Sequence, residues 1–330
     1  MRSLRFLLLS LLCAVFFLVA FLPAHAAEGA KRELVVYTAL TTTTPQMPLW
    51  AAVKSGWPGS GVVKAEYWKN LDDLRGIILA GKGDIWVGHL EGFAQAALRG
   101  APVRLVAVTG WKKFYFVTPG DSSANNLEAL AAEMEKARIP LAVAPQDSPA
   151  LAILETMRSR GGPSFEVAAM QPQQLALEMV RGTRKYALLP EPLITSLLAK
   201  KPQLRVALGL ESEFARLYGG TARLPFVGIA VHAALAEKEP GLIRALVAAM
   251  ANQARLLSAK PEAALVSLPE AVRKTLGDAV IRSSLQRDMI LALSAIEAKE
   301  EIDAFLRMAL PGSEEQLSAL LEGPFLFGEK

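Results

Sequence analysis

The sequence predicts an α/β protein made of two successive blocks, each a mainly parallel sheet flanked by helices, followed by a helical C-terminal tail. Three observations carry this. Short Val/Ile-rich runs alternate with helix-length periodic segments, the pattern of parallel strands joined by crossover helices. The alternation restarts near residue 127, after two adjacent strand-like runs. From residue 240 onward every segment reads as helical.

In order, residues 34–38 (LVVYT) form a buried strand, then a Thr/Pro loop leads to a helix over 49–55. Strands at 62–68, 84–89 (DIWVGH) and 103–109 (VRLVAVT) alternate with helices at 71–80 and 93–99. A further strand follows at 114–118 (FYFVT). In the second block helices at 127–137, 150–160 and 173–181 alternate with strands at 141–144, 165–169 and 186–189. Residues 206–210 and 225–231 (PFVGIAV) complete the strands, and 242–257 is the longest helix of the tail.

Composition narrows the function. The first 26 residues carry Arg2 and Arg5, an apolar run over 6–22 broken only by Ser10 and Cys13, and the small pair Ala24 and Ala26. These are the three parts of a secretory signal, with cleavage expected after Ala26. Without that leader, 34 basic residues face 32 acidic ones over 304 residues, and no Cys remains. Basic residues cluster no further than pairs such as Lys112-Lys113, so no nucleic-acid partner is expected. No second apolar run of spanning length occurs, and the mature product is expected to be exported and periplasmic.

Glycines mark the turns. Gly81 and Gly83 flank a helix-to-strand turn where positive φ relieves the helix end. Asp84 is placed to accept backbone N–H groups there, and Gly88 permits a close neighbour. Residues 56–61 (GWPGSG) follow a helix and precede a strand, the reverse of a phosphate loop, and read as a turn.

The element order, together with residues 79–88 (LAGKGDIWVG), 100–103 (GAPV) and Glu191-Pro192, resembles the type II periplasmic binding proteins of ABC importers for nitrate, sulfonate, taurine and the thiamine-precursor pyrimidine. That resemblance spans about residues 34–310 and implies two lobes between which the chain crosses twice. It divides the chain into a signal peptide over 1–26, a first lobe over 27–112, a second over 113–222, and a return strand with C-terminal helices over 223–330. It further implies a monomer that needs no cofactor, binds a small solute by hinge closure near 108–118 and 207–226, and hands it to an ABC permease in the membrane.

Ligands of open α/β sheets lie outside the carboxyl ends of strands, where helix N-termini also point. Five loops qualify. Residues 40–48 offer Thr41 and Thr42 as hydroxyl donors, while Thr44 before Pro45 is explained as an N-cap. His89 and Glu91 open the helix after the 84–89 strand. Thr109 and Trp111 end the next strand, where Trp111 supplies a flat wall with one N–H. Asp147 and Ser148 precede Pro149 and either could cap its helix; the resemblance sets this helix across the cleft. Glu191 follows the 186–189 strand and could accept from a ligand N–H.

All five Trp lie in the first third of the chain; Trp68 and Trp86 read as core, whereas Trp50 and Trp111 adjoin the loops of the expected cleft. Hydroxyls and helix N-termini suit an anionic head group such as a carboxylate or sulfonate, Trp111 and Glu191 suit an organic or amine-bearing one, and the expected solute is a small organic anion or heterocycle. Catalysis is not expected. The mature chain has two His, no Cys, no G-x-S-x-G and no H-E-x-x-H, and no acidic cluster has metal-ligand spacing. The alternatives are a same-fold periplasmic enzyme of the dehydratase or aromatase kind, and a ligand sensor acting in trans.

Overall fold

The computed structural model describes residues 33–57 and 61–328, so the expected signal peptide and its cleavage point lie outside them. Part of the 56–61 turn is outside as well.

Two sheets organise the chain. The first contains β1 (Glu33–Ala39), β2 (Val62–Trp68), β3 (Ile85–His89), β4 (Val103–Gly110), β10 (Val227–His232) and β11 (Leu293–Ser294), in the order β11-β4-β10-β3-β1-β2. The second contains β5 (Phe114–Pro119), β6 (Leu141–Val143), β7 (Val167–Ala169), β8 (Ala187–Pro190) and β9 (Leu204–Gly209), in the order β7-β6-β8-β5-β9.

Each sheet is mainly parallel, with β1 to β4 running together in the first and β6 to β9 in the second. The exceptions have a geometric cause. Strands of each lobe end where the lobes meet, so a strand arriving from the other lobe begins there and runs the opposite way. Thus β5, entered three residues after β4, is antiparallel to β8 and β9. Likewise β10, entered from the second lobe, is antiparallel to β3 and β4, pairing Val227 with Gly110.

Strands buried on both faces explain the apolar runs. β3 and most of β4 are solvent-free, whereas the edge strand β2 is partly exposed and carries Lys64 and Glu66 as an ion pair. Fully burying an aliphatic side chain such as Leu105 or Val106 contributes about 1.5–3 kcal/mol.

Helices cover the sheets. In the first lobe a 3₁₀ turn (Thr44–Gln46) leads into α1 (Met47–Lys54), followed by α2 (Leu71–Leu79) and α3 (Leu90–Leu98). The second holds α4 (Leu127–Ala137), α5 (Pro149–Ser159), α6 (Pro172–Arg181), α7 (Leu193–Lys200) and α8 (Leu210–Tyr218). Asn70 and Asn126 cap α2 and α4, accepting the N–H groups of Asp73 and Ala129 at 2.9 and 2.8 Å. Gly81 and Gly83 adopt φ of +64° and +88° after α2, as the turn requires. Asp84 accepts the N–H of Val35 at 2.8 Å, so its carboxylate ties that turn to β1. A Cβ on Gly88 would lie 2.5 Å from Leu74 Cδ2, which makes Gly88 a packing glycine.

Two features depart from the sequence expectation. Helices α7 and α8 are absent from the sequence expectation: α7 (LITSLLAK) is short, and α8 follows β9 without a loop. The tail is also not wholly helical. After α9 (Ala233–Lys238), α10 (Pro240–Ala259), α11 (Pro261–Ser267), α12 (Glu270–Leu276) and α13 (Asp278–Ser284), the chain adds β11 to the edge of β4. It then forms α14 (Lys299–Ala309) and α15 (Glu314–Glu322), and Leu326 bridges back to Leu105.

This tail touches both lobes. α14 packs between α5 of the second lobe and α3 of the first, and α13 packs on α7. At the crossing, Phe305 meets Phe226 edge-on at 5.4 Å, and Phe226 meets Phe114 at 5.0 Å. Such edge-to-face pairs favour a defined angle between their elements.

Candidate functional site

The strand ends of both lobes converge on a cleft. The loop after β1 is organised by Gln46, which is fully buried. Its Oε1 accepts from Thr38 Oγ1 and Trp50 Nε1, both at 2.8 Å, and its amide donates to the carbonyls of Ala39 and Thr42. Trp50 is thereby a buried packing residue, not an open cleft wall. Thr44 is not an N-cap: it lies inside the 3₁₀ turn, and its hydroxyl donates to Asp288 of the tail. Thr42 faces the cleft, whereas Thr41 is exposed.

At the end of β3, His89 and Glu91 are buried together. His89 Nε2 stands 3.2 Å from Lys113 Nζ and Nδ1 stands 3.2 Å from Glu91 Oε1. The lysine donates to Nε2, so Nδ1 carries the proton and donates to Glu91. Burial first, and Lys113 second, hold the imidazole pKa below its ordinary value, which keeps the ring neutral. Burial also lowers the pKa of Lys113, against the pull of Glu91, Asp288 and Glu211.

Beyond β4, Thr109 is fully buried and its hydroxyl has no hydrogen-bond partner among the described residues. Trp111 is also buried; its N–H donates to Leu291 O at 3.2 Å and the Arg223 guanidinium lies 4.8 Å over its ring. The indole is packed, and Trp111 lines the cleft. In the second lobe Asp147 is exposed, and Ser148 is buried ahead of α5. Neither caps: α5 has no side-chain cap bond, and the Ser148 hydroxyl has no partner among the described residues.

Glu191, at the end of β8, has no exposed side-chain surface. Its Oε1 accepts from Thr195 Oγ1 at 3.1 Å and Arg287 Nε at 2.5 Å, and its Oε2 from the Thr195 N–H at 3.2 Å. Arg287 and Asp288 belong to the tail segment after α13. Tyr115 donates to the Arg287 carbonyl, so this segment is fixed to the second lobe by Arg287 and to the first by Asp288.

Two carboxyl groups are strongly perturbed. Burial first, then the charge of Glu191, pushes Asp288 up to about 8 despite the opposing Thr44 hydrogen bond. Burial raises Glu211 to about 7, although its Oε1 accepts the N–H groups of Lys113 and Phe114 at 2.7 and 3.0 Å.

The 42–45 loop, the 110–113 crossing, Glu191 and Asp288 enclose a cavity of about 10 Å³, about the room one water needs. Of the residues predicted from sequence, Thr42, Trp111 and Glu191 line it, and His89 and Glu91 join it through Lys113. Thr41, Asp147 and Ser148 do not line it, and Thr109 lies just behind. Sequence reasoning missed Lys113, Glu211, Arg287 and Asp288. Of these only Lys113 left a visible signal, as half of a basic pair. Among the described residues no group of His, Cys, Asp and Glu is arranged to hold a metal ion, and no helix is long and apolar enough to cross a membrane.

No protein-family model matches the sequence, and no curated protein does. The fold, however, has many solved counterparts. An ABC transporter protein from Parabacteroides distasonis is 17% identical, with 90% of this chain aligned to 99% of that one and a TM-score of 0.70. The periplasmic aliphatic sulphonate-binding protein SsuA of Escherichia coli is 14% identical over 90% and 94% of the two chains, with a TM-score of 0.64. The periplasmic nitrate-binding protein NrtA of Synechocystis PCC 6803 is 14% identical over 88% and 85%, with a TM-score of 0.63. The chain therefore has the two-lobed fold of periplasmic binding proteins. At these identities the likeness concerns fold.

Proposed function

We propose that this chain is the extracytoplasmic solute-binding component of an ABC importer, exported by a signal peptide cleaved after Ala26. It captures a small polar solute between lobes bounded at 27–112, 113–222 and 223–330, and delivers it as a monomer to a membrane permease. The observation that carries this reading is the cleft itself. Polar side chains from both lobes and the tail meet around one cavity where the strands end, and the fold is shared with binding components of importers.

Binding works by differential contact. A solute seated on one lobe stabilises the closed form only through the bonds it adds to the other. The linking segments, 111–113 and 219–226, are short stretches between strands and helices, suited to hinge motion.

Buried groups of perturbed pKa in a cleft also occur in active sites, which keeps a same-fold enzyme as the second reading. A thermal-shift screen of the mature protein, unfolded and refolded to strip bound solute, separates the two. Amino acids, sulfonates, nitrate, pyrimidines and polyamines form the panel. Stabilisation by one class without chemical change to it supports the receptor; turnover of a stabilising compound contradicts it.

A further inference from the structure

We propose that the solute carries a guanidinium or primary ammonium group, and that this group takes the place Arg287 now holds on Glu191 and Thr195. The proposal rests on the solute-receptor reading and names its ligand class.

The corner between β8 and α7 is built to receive two adjacent N–H donors. Arg287 presents Nε to Glu191 Oε1 and Nη2 to Thr195 Oγ1, each at 2.5 Å. The receiving carboxylate is held on its other side by the Thr195 N–H and hydroxyl, and has no solvent-exposed surface. A planar donor pair matched to a fixed acceptor pair is how a guanidinium is recognised.

The occupant is less fixed than its receptor. Arg287 comes from a segment that is neither helix nor strand, and its side chain is 25% exposed. Tyr115 holds its carbonyl and Asp288 binds Thr44, so the backbone is anchored independently of the guanidinium. The head can therefore leave by rotating about its own side-chain bonds. Its departure vacates a guanidinium-sized volume beside the cavity.

A second observation sets the sign of charge. Glu91 Oε2 and Glu211 Oε2 are buried carboxylate oxygens without a hydrogen-bond partner among the described residues. Both residues act on Lys113, which Asp288 also faces. With the Arg287 head withdrawn, the buried Glu191 carboxylate keeps only its Thr195 bonds, while His89 and Asp288 are held neutral. An entering cation restores the partner that Glu191 loses, whereas an anion does not. This replaces the organic anion expected from the hydroxyl-rich loops, because the buried Glu191 carboxylate decides the charge at this corner.

The test is calorimetric titration of the mature, solute-stripped protein with methylguanidine, agmatine and putrescine, against taurine and sodium nitrate. At least one cation is expected to bind while the anions do not. Arg287→Ala removes the internal competitor and is expected to tighten that binding tenfold or more; Glu191→Gln is expected to weaken it by at least as much. Circular dichroism checks each variant. If Arg287→Ala does not fold, Arg287→Gln, which retains a donor for Glu191, carries the same expectation. Failure of every cation to bind overturns the proposal, as does a cation affinity unmoved by both substitutions. Binding of taurine or nitrate alone overturns the cationic ligand while leaving the receptor reading intact.

Discussion

Glu211 accepts the backbone N–H of Lys113 at 2.7 Å, so the return path from the second lobe is bonded to the outward path from the first. The same oxygen takes the N–H of Phe114 at 3.0 Å. One carboxyl group thus ties the 111–113 link and the start of β5 to the start of α8. Glu211→Ala leaves two buried N–H groups without an acceptor and is expected to lower the unfolding free energy by about 2–4 kcal/mol. Glu211→Gln, which keeps an acceptor, is expected to recover most of it. Urea unfolding of the three proteins checks this; equal midpoints for Ala and wild type would contradict it.

Asp288 makes stability depend on pH. Its carboxyl is held up at about 8 in the folded chain, against an ordinary value near 4. Thr44, Lys113, Glu191 and Glu211 are the groups that act on it. Between those pH values the folded state keeps a proton that the unfolded state has released. Its stabilising contribution is therefore full near pH 4 and lost as pH rises through 8, with a slope of at most about 1.4 kcal/mol per pH unit for one proton. Asp288→Asn still accepts from Thr44 and does not titrate. The variant is expected to gain stability relative to wild type steadily from pH 5 to pH 8. Parallel stability curves in urea over that range would remove the assignment.

Ser148 offers a cleaner separation of binding from folding. Its hydroxyl is buried and has no hydrogen-bond partner among the described residues, so Ser148→Ala is expected to leave the thermal midpoint unchanged or slightly raised. If it reaches solute in the closed state, the same variant weakens binding several-fold. Thr41 is exposed and away from the cavity, so adding Thr41→Ala is expected to change little further. A double variant with wild-type affinity clears both hydroxyls of a binding role.

Much of the fold was legible because buried strands announce themselves. Residues 85–89 and 103–110 carry apolar side chains on both faces, and helix starts at Asn70 and Asn126 carry their own caps. What escaped was short local structure: the eight-residue α7, α8, which follows β9 without a loop, and the two-residue β11 on the edge of β4. The site divides along the same line. His89, Glu91, Trp111 and Glu191 stand at strand ends, where a positional rule finds them. Arg287 and Asp288 lie in a polar stretch (QRD) that reads as solvated surface, and only tertiary packing carries it into the cleft. Glu211 follows directly on the expected 206–210 strand, and nothing local shows that its carboxyl faces the opposite crossing.

The distance between the lobes tests the solute-capture reading most directly. The sequence has one Cys, Cys13, ahead of the proposed cleavage point, so in a chain that begins after Ala26 Lys64→Cys and Gln173→Cys place one label on an exposed site of each lobe. Single-molecule energy transfer is then measured on the solute-stripped protein, with and without a compound that raises its thermal midpoint. Solute capture between moving lobes requires the distance distribution to shift when that compound is added, and to return when it is dialysed away. A distribution that stays fixed while the compound binds tightly would contradict capture by lobe movement.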